Sequence, residues 1–401
     1  MRQYALITAS YWGFTLTDGA LRMLVVLYFH QLGYGPFAIA SLFLFYELFG
    51  VITNLVGGWL GARLGLAITL LLGLGLQIVA LGMLLVDPTA LTVVWVMIAQ
   101  ALSGVAKDLT KTSAKSGVKS LVPEHKSDHE PGDGASDLRL FRWVAALTGS
   151  KNTLKGIGFF LGGALLAGLG FRGAIGVLAG GLAVTLLVTG VLLDRSAGKT
   201  SFKPRFKDLF SKSPAVNTLA AARLVLFGAR DVWFVVALPV YLQSEAAWSA
   251  LQVSTLLALW VIGYGLVQSL APRLLELFGM APPNGPVVVW SAAALALASA
   301  CVLALVLVGA PVALSIVTGL LVFGAVFAIN SAVHSYLIVH YAEADGVSLD
   351  VGFYYMANAL GRLLGTLLSG AVYQLAGFEA CIATTLGFVV LAGLISRRLP
   401  R

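Results

Sequence analysis

Nine basic residues stand where the chain is otherwise apolar enough to lie in lipid: Arg22, Lys107, Lys111, Lys115, Lys151, Lys155, Arg223, Arg230 and Arg362. Four carboxylates share those stretches, Asp18, Glu47, Asp108 and Asp231. Each such charge costs about 2.5–3.5 kcal/mol or more at the bilayer centre. Pairing among themselves still leaves five positive charges over. The chemistry open to that surplus is anion binding: arginine presents a planar fork of donors that fits an oxyanion, and lysine a point charge.

Spacing sorts these residues. Lys107, Lys111, Lys115 and Lys119 recur every four positions, as do Lys151 and Lys155, so each set lines one face of a helix. At ~1.5 Å of rise per residue, Asp18, Arg22, Lys107, Lys155, Arg230, Asp231 and Arg362 come near mid-membrane. Lys111 and Lys151 lie about one turn nearer the cytoplasm, and Lys115 is close enough to the edge to snorkel into the headgroups. The result is a basic staircase from cytoplasm to midplane. The competing reading is structural: the lysines pair with Asp108 or Glu47, and Asp18–Arg22 and Arg230–Asp231 neutralise each other locally. In the functional reading the arginines grip an oxyanion while Asp18 and Asp231 bind protons or tune them. Asn358, one turn before Arg362, adds donors. Arg223 equally suits a cytoplasmic gate, and Asn330 with His334 either lines the path or makes an interhelical hydrogen bond.

The elements that must position these groups follow from composition. The 401 residues are 59% apolar and 11% charged, with a mean hydropathy of +0.91, against roughly 45–50% and about 25% for soluble domains. Apolar runs broken by Gly, Pro and charge give twelve spans, at 4–32, 37–60, 67–86, 91–118, 140–169, 173–193, 215–242, 251–278, 287–309, 312–340, 351–375 and 380–395. With the N-terminus inside, sixteen of the remaining basic residues fall on the cytoplasmic side and one, Arg172, outside. That is the positive-inside pattern, with both termini cytoplasmic. The +8 net charge is therefore a topology signal, and no nucleic-acid partner is expected.

The longest basic connection, 194–214, separates a six-helix half at 1–193 from another at 215–401. Sliding the second onto the first by 213 positions superposes Phe14 on Phe227, Asp18 on Asp231, Tyr28 on Tyr241 and Gly50 on Gly263. The expected fold is an all-α membrane protein whose twelve transmembrane helices form two pseudo-symmetric halves about a central cavity. Glycines four apart, such as Gly158 and Gly162 or Gly361 and Gly365, should let helix backbones approach closely.

Other chemistry is poorly supported. Gly198-Lys199-Thr200 has Leu193 where a phosphate loop needs its first glycine. Cys301 and Cys381 both lie in apolar runs and suggest neither a disulfide framework nor a thiolate metal site. His125, Asp128, His129 and Glu130 crowd a polar loop that reads as solvated. No cleavable targeting segment is apparent. An intramembrane enzyme would need an activated nucleophile or metal-ligand group at the midplane, and neither constellation is found. No cofactor is expected, and a monomer is.

This layout resembles the major facilitator superfamily. In the loop after span two, Gly58, Arg63 and Gly65 match the family motif, whereas Ala62, Leu66 and Ala67 replace its acid and later bases. A closer resemblance runs along nearly the whole chain to the organoarsenical efflux permeases (ArsJ) of bacterial arsenic-resistance operons. It is carried by Thr17-Asp18-Gly19-Ala20-Leu21-Arg22-Met23-Leu24, Ser103-Gly104-Val105-Ala106-Lys107-Asp108-Leu109, Gly149-Ser150-Lys151-Asn152, Phe227-Gly228-Ala229-Arg230-Asp231-Val232-Trp233-Phe234 and Asn358-Ala359-Leu360-Gly361-Arg362.

The resemblance implies an inner-membrane exporter of 1-arseno-3-phosphoglycerate, formed when glyceraldehyde-3-phosphate dehydrogenase uses arsenate in place of phosphate. Such a cargo has an oxyanion at each end. Arg22 with the lysines of spans four and five suits one end, and Arg230 with Arg362 the other. The rivals are an organophosphate:phosphate antiporter, whose arginines also sit on spans one and seven, and a channel.

Overall fold

The computed structural model describes residues 2–121, 134–194, 213–342 and 347–400. The loop holding His125, His129 and their acidic neighbours and most of the basic connection, 195–212, fall outside them, as do the side chains of Arg63, Lys115 and Lys119. The first half comprises α1 (Arg2–Gln31), α2 (Pro36–Ser41), α3 (Leu44–Leu64), α4 (Leu66–Met83), α5 (Val93–Leu121) and α6 (Gly134–Leu192). The second comprises α7 (Pro214–Phe234), α8 (Ala237–Ser244), α9 (Ala250–Leu277), α10 (Gly285–Leu307), α11 (Gly319–Tyr341) and α12 (Val347–Ser396). Among the described residues there are no strands.

Helix and span do not coincide one to one. The apolar stretches of α6 and α12, Leu140–Leu192 and Asp350–Ser396, run for 53 and 47 residues. Either, if straight, would be more than twice as long as the ~30 Å hydrocarbon layer is thick. Both instead reverse at a glycine whose positive φ costs no Cβ clash: Gly170 (φ 65°, ψ −179°) and Gly377 (φ 79°, ψ −174°). Before Gly170, Gly158 and Gly162 climb α1 beside Leu16 and Ala20. After it, Thr189 returns to hydrogen-bond Ser10 at 2.7 Å. Conversely, two short breaks divide single predicted spans, between α2 and α3 and between α7 and α8. At the second, the Val236 and Ala237 N–H groups donate to Ser369 Oγ at 3.2 and 3.0 Å, as backbone groups shielded from water require.

The two halves repeat one another in detail. Tyr28 stacks on Phe171 with centroids 4.2 Å apart, and Tyr241 stacks on Phe378 at 4.5 Å. In each half, therefore, the phenylalanine after the reversing glycine docks on the tyrosine near the C-terminal end of the half's first span. The glycine pairs repeat too. A Cβ on Gly158 or Gly162 would stand 2.4 or 2.5 Å from the Leu16 or Ala20 carbonyl oxygen, and on Gly361 or Gly365 2.0 or 2.7 Å from that of Leu224 or Gly228. Gly361→Val is expected to cost about 3 kcal/mol or more, because the blocking atoms are backbone and cannot rotate away. A lower melting temperature and loss of the monodisperse peak in detergent would show it; an unchanged melt would contradict this packing.

Burial is inverted relative to a water-soluble protein. Val191 and Leu375 are 82% and 85% exposed, while Glu47, Asp108 and Asp231 are wholly buried. Lipid suits the first set. The second must find partners inside the bundle.

Candidate functional site

The buried charges meet between α1, α3, α5, α6, α7 and α12. On α1, Asp18 and Arg22 share a face yet do not pair with each other. Arg22 Nη2 donates to Glu47 Oε1 of α3 at 2.6 Å, and Asp18 Oδ1 accepts the Tyr46 hydroxyl at 2.6 Å. Two consecutive α3 residues therefore separate the local pair that the four-residue spacing allows. Phe43 and Tyr46 lie under the Arg22 guanidinium, 4.9 and 5.1 Å from it, and add cation–π contact.

Glu47 Oε1 also accepts Arg362 Nη2 of α12, again at 2.6 Å. Arg362 Nε points to Asp231 Oδ2 at 3.4 Å. Asp231 Oδ1 in turn holds Arg230 through Nε at 2.6 Å and Nη2 at 2.5 Å. The chain Arg22–Glu47–Arg362–Asp231–Arg230 thus crosses from the first half to the second with three guanidinium groups and two carboxylates. It carries one positive charge that nothing within it cancels.

A second cluster sits on α5. Lys111 Nζ bonds Asp108 Oδ1 at 2.6 Å and also the Asn54 side-chain oxygen. Lys107 Nζ is 3.8 Å from Asp108 Oδ2 and 4.0 Å from the Tyr46 ring centroid. Two ammonium groups again share one carboxylate. Gly50 leaves the room: a Cβ there would stand 3.2 Å from Asp108 Oδ2 and 3.4 Å from Lys107 Nζ. Lys111 Nζ also lies 5.2 Å from the Tyr355 ring of α12, so this cluster too faces the other half.

Lys155 of α6 differs from the rest. Its ammonium makes no hydrogen bond or ion pair among the described residues, and only the Phe159 ring, at 5.7 Å, approaches it. It lies within electrostatic reach of Arg22, Arg230, Arg362 and Asp18, which places it in the same cluster. Lys151, one turn away, is partly buried and is not free. Asp18 forms no ion pair among the described residues. Of the nine basic residues and four carboxylates singled out from the sequence, all but Lys115 are described, and their mutual pairing is present without being complete.

Arg223 stands apart, and among the described residues its hydrogen-bond partners are neutral: Asn358 Oδ1 and Ser331 Oγ, each at 3.0 Å. Asn358 is thus turned to Arg223 rather than adding donors beside Arg362. Ser331 continues through Gln268 to Asn152 of α6, a second polar link between the halves. Asn330 donates to Ser291 at 2.8 Å, an interhelical bond, and His334 is buried with Nδ1 unbonded among the described residues. Phe227 lies between the two α7 arginines, 3.9 Å from Arg223 and 4.6 Å from Arg230.

Sequence reasoning gave Glu47 only as a partner for lysines, and the structure makes it the joint of two arginines. Its signal was available: it is the sole carboxylate of span two. Tyr46 carried no signal, since an aromatic residue in an apolar run reads as packing.

The sequence matches the family model described as Major Facilitator Superfamily twice, over residues 7–235 and 219–401. Among solved structures, the human organic anion transporter MFSD10 (TETRAN) aligns over 98% of both chains with a TM-score of 0.68 at 19% identity. No curated protein sequence matches significantly.

Proposed function

The chain belongs to the Major Facilitator Superfamily, and from that premise we propose that it exports an organic oxyanion, 1-arseno-3-phosphoglycerate, by alternating access and so confers arsenate resistance. The observation that carries this reading is the sharing of carboxylates. Among the described residues three acids serve five bases, and no ion pair reaches Lys155 or Arg223. A bundle built only for stability would balance these charges or omit them, because an uncompensated buried charge is destabilising. A site that awaits an anion must hold them in reserve.

The cargo fits the division of the cluster. Arg22, Lys107 and Lys155 with Lys111 and Lys151 behind them suit one oxyanion end, and Arg230 with Arg362 the other. The lysine face of α5 draws the anion from the cytoplasm, and the two halves then rock about the midplane to release it outside. An inside-negative potential assists by about 2.3 kcal/mol per charge per 100 mV. In this reading the protein is a monomer of the bacterial inner membrane with both termini cytoplasmic, supplied by glyceraldehyde-3-phosphate dehydrogenase. The structural neighbour named as an organic anion transporter is consistent with the cargo class.

Everted vesicles given arsenate, glyceraldehyde-3-phosphate, NAD and the dehydrogenase should accumulate arsenic, and omitting any component should stop it. Arg22→Ala and Arg230→Ala should each abolish the uptake at normal protein levels. Uptake that persists without the dehydrogenase would overturn the substrate. The arginines on both α1 and α7 also suit an organophosphate:phosphate antiporter, which phosphate counterflow in proteoliposomes would reveal.

A further inference from the structure

Glu47 occupies the position an incoming oxyanion would need. One of its oxygens receives a guanidinium from each half at the same 2.6 Å, and its side chain is fully buried. Its other oxygen, also buried, has no hydrogen-bond partner among the described residues. A carboxylate held in this way is an internal stand-in for cargo: an oxyanion that takes both arginine forks must displace it.

Resting on the anion-binding reading above, we propose that Glu47 is this protein's own competing anion and that it takes up one proton from the open side whenever an oxyanion binds.

The surroundings explain the proton. Arg22 on α1, Tyr46 on α3, Lys107 on α5 and Arg362 on α12 interact with Glu47 directly, and Asp18 on α1, Asp108 on α5, Lys155 on α6 and Asp231 on α7 interact with those basic groups in turn. Lys107 is committed to Asp108 and to the Tyr46 ring, and Asp108 already serves two lysines. Once the anion holds Arg22 and Arg362, Glu47 would remain a bare carboxylate in a water-poor site, a state avoided by protonation. The step balances: Glu47 carboxylate plus a proton gives the neutral acid, and two guanidinium groups pass from Glu47 to the oxyanion. On release the proton leaves and the arginines close on Glu47 again, rejoining the halves. A multiply charged anion carrying one proton remains net negative, so the membrane potential still drives it outward. The linked proton thereby sits on Glu47 rather than on Asp18 or Asp231. Asp231 is already engaged by Arg230.

The test is titration calorimetry of purified full-length protein at about pH 8, in buffers of different ionisation heat, with sulfate and then 3-phosphoglycerate as probes. Both are fully ionised there, the phosphomonoester having its second pKa near ~6. The wild type should take up about one proton per anion, and its apparent Kd should fall about tenfold per unit decrease in pH, as linkage requires. Glu47→Gln should take up none and bind at least ~10-fold tighter at pH 8, while Asp18→Asn should keep the wild-type proton count. Anion binding by the wild type without proton uptake, or unchanged uptake in Glu47→Gln, overturns the role of Glu47 and leaves the anion site standing. Failure of both probes to bind overturns the anion site and this inference with it. The wild-type proton count decides the matter even if Glu47→Gln does not fold.

Discussion

Arg362→Ala is expected to reduce transport to background and to raise the Kd for a dianion at least ~100-fold. Among the described residues Arg362 alone touches carboxylates from both halves, Glu47 at 2.6 Å and Asp231 at 3.4 Å. Its removal takes away one of three guanidinium groups and also leaves the two remaining arginines neutralised one to one by Glu47 and Asp231. The reserve of charge in that chain disappears. Breaking a buried ion pair from one side costs about 3–5 kcal/mol, so the melting temperature should fall as well. Arg362→Lys restores the charge but not the planar fork that reaches two acids at once, and should recover less than ~10% of transport. Near-wild-type uptake by Arg362→Ala, in cells that contain normal amounts of protein, would remove this residue from the site.

The second large effect should come from Lys155, with the opposite signature. Lys155→Met is expected to lower transport at least ~50-fold while the melting temperature holds or rises. Lys155 has no acceptor among the described residues, so its loss orphans no carboxylate. It also relieves repulsion from Arg22, Arg230 and Arg362, which lie within electrostatic reach. A cation that weakens the resting protein is retained for what it binds later. If Lys155 instead supported the helix bundle, activity and melting temperature would fall together. Paired uptake and thermal-melt measurements on one preparation separate the outcomes.

These two residues show how far sequence and structure each reach. Both were legible as buried cations, because charge inside apolar spans is conspicuous whatever the fold. Their difference was not legible: among the described residues Arg362 is held by two acids and Lys155 by none, and that depends on helices more than a hundred residues apart in the chain. The spacing of Asp18 and Arg22 invited a local pair, yet α3 inserts Glu47 and Tyr46 and divides them. Asn358 is one turn from Arg362 in sequence and turned to Arg223 in space.

The residues alone determined the class of the protein, its helical spans, the repeat of one half in the other, and the excess of positive charge within the bilayer. All of these depend on composition and on periodicity along a single helix, which local steric and solvation forces impose. Tertiary structure decided the breaks between α2 and α3 and between α7 and α8, the latch through Glu47 and Arg362, and which of the described cations stay unpaired. Ion pairing is short-ranged and directional, so a shift of one helix turn changes every partner. Only the packed bundle fixes which charges are left for a ligand.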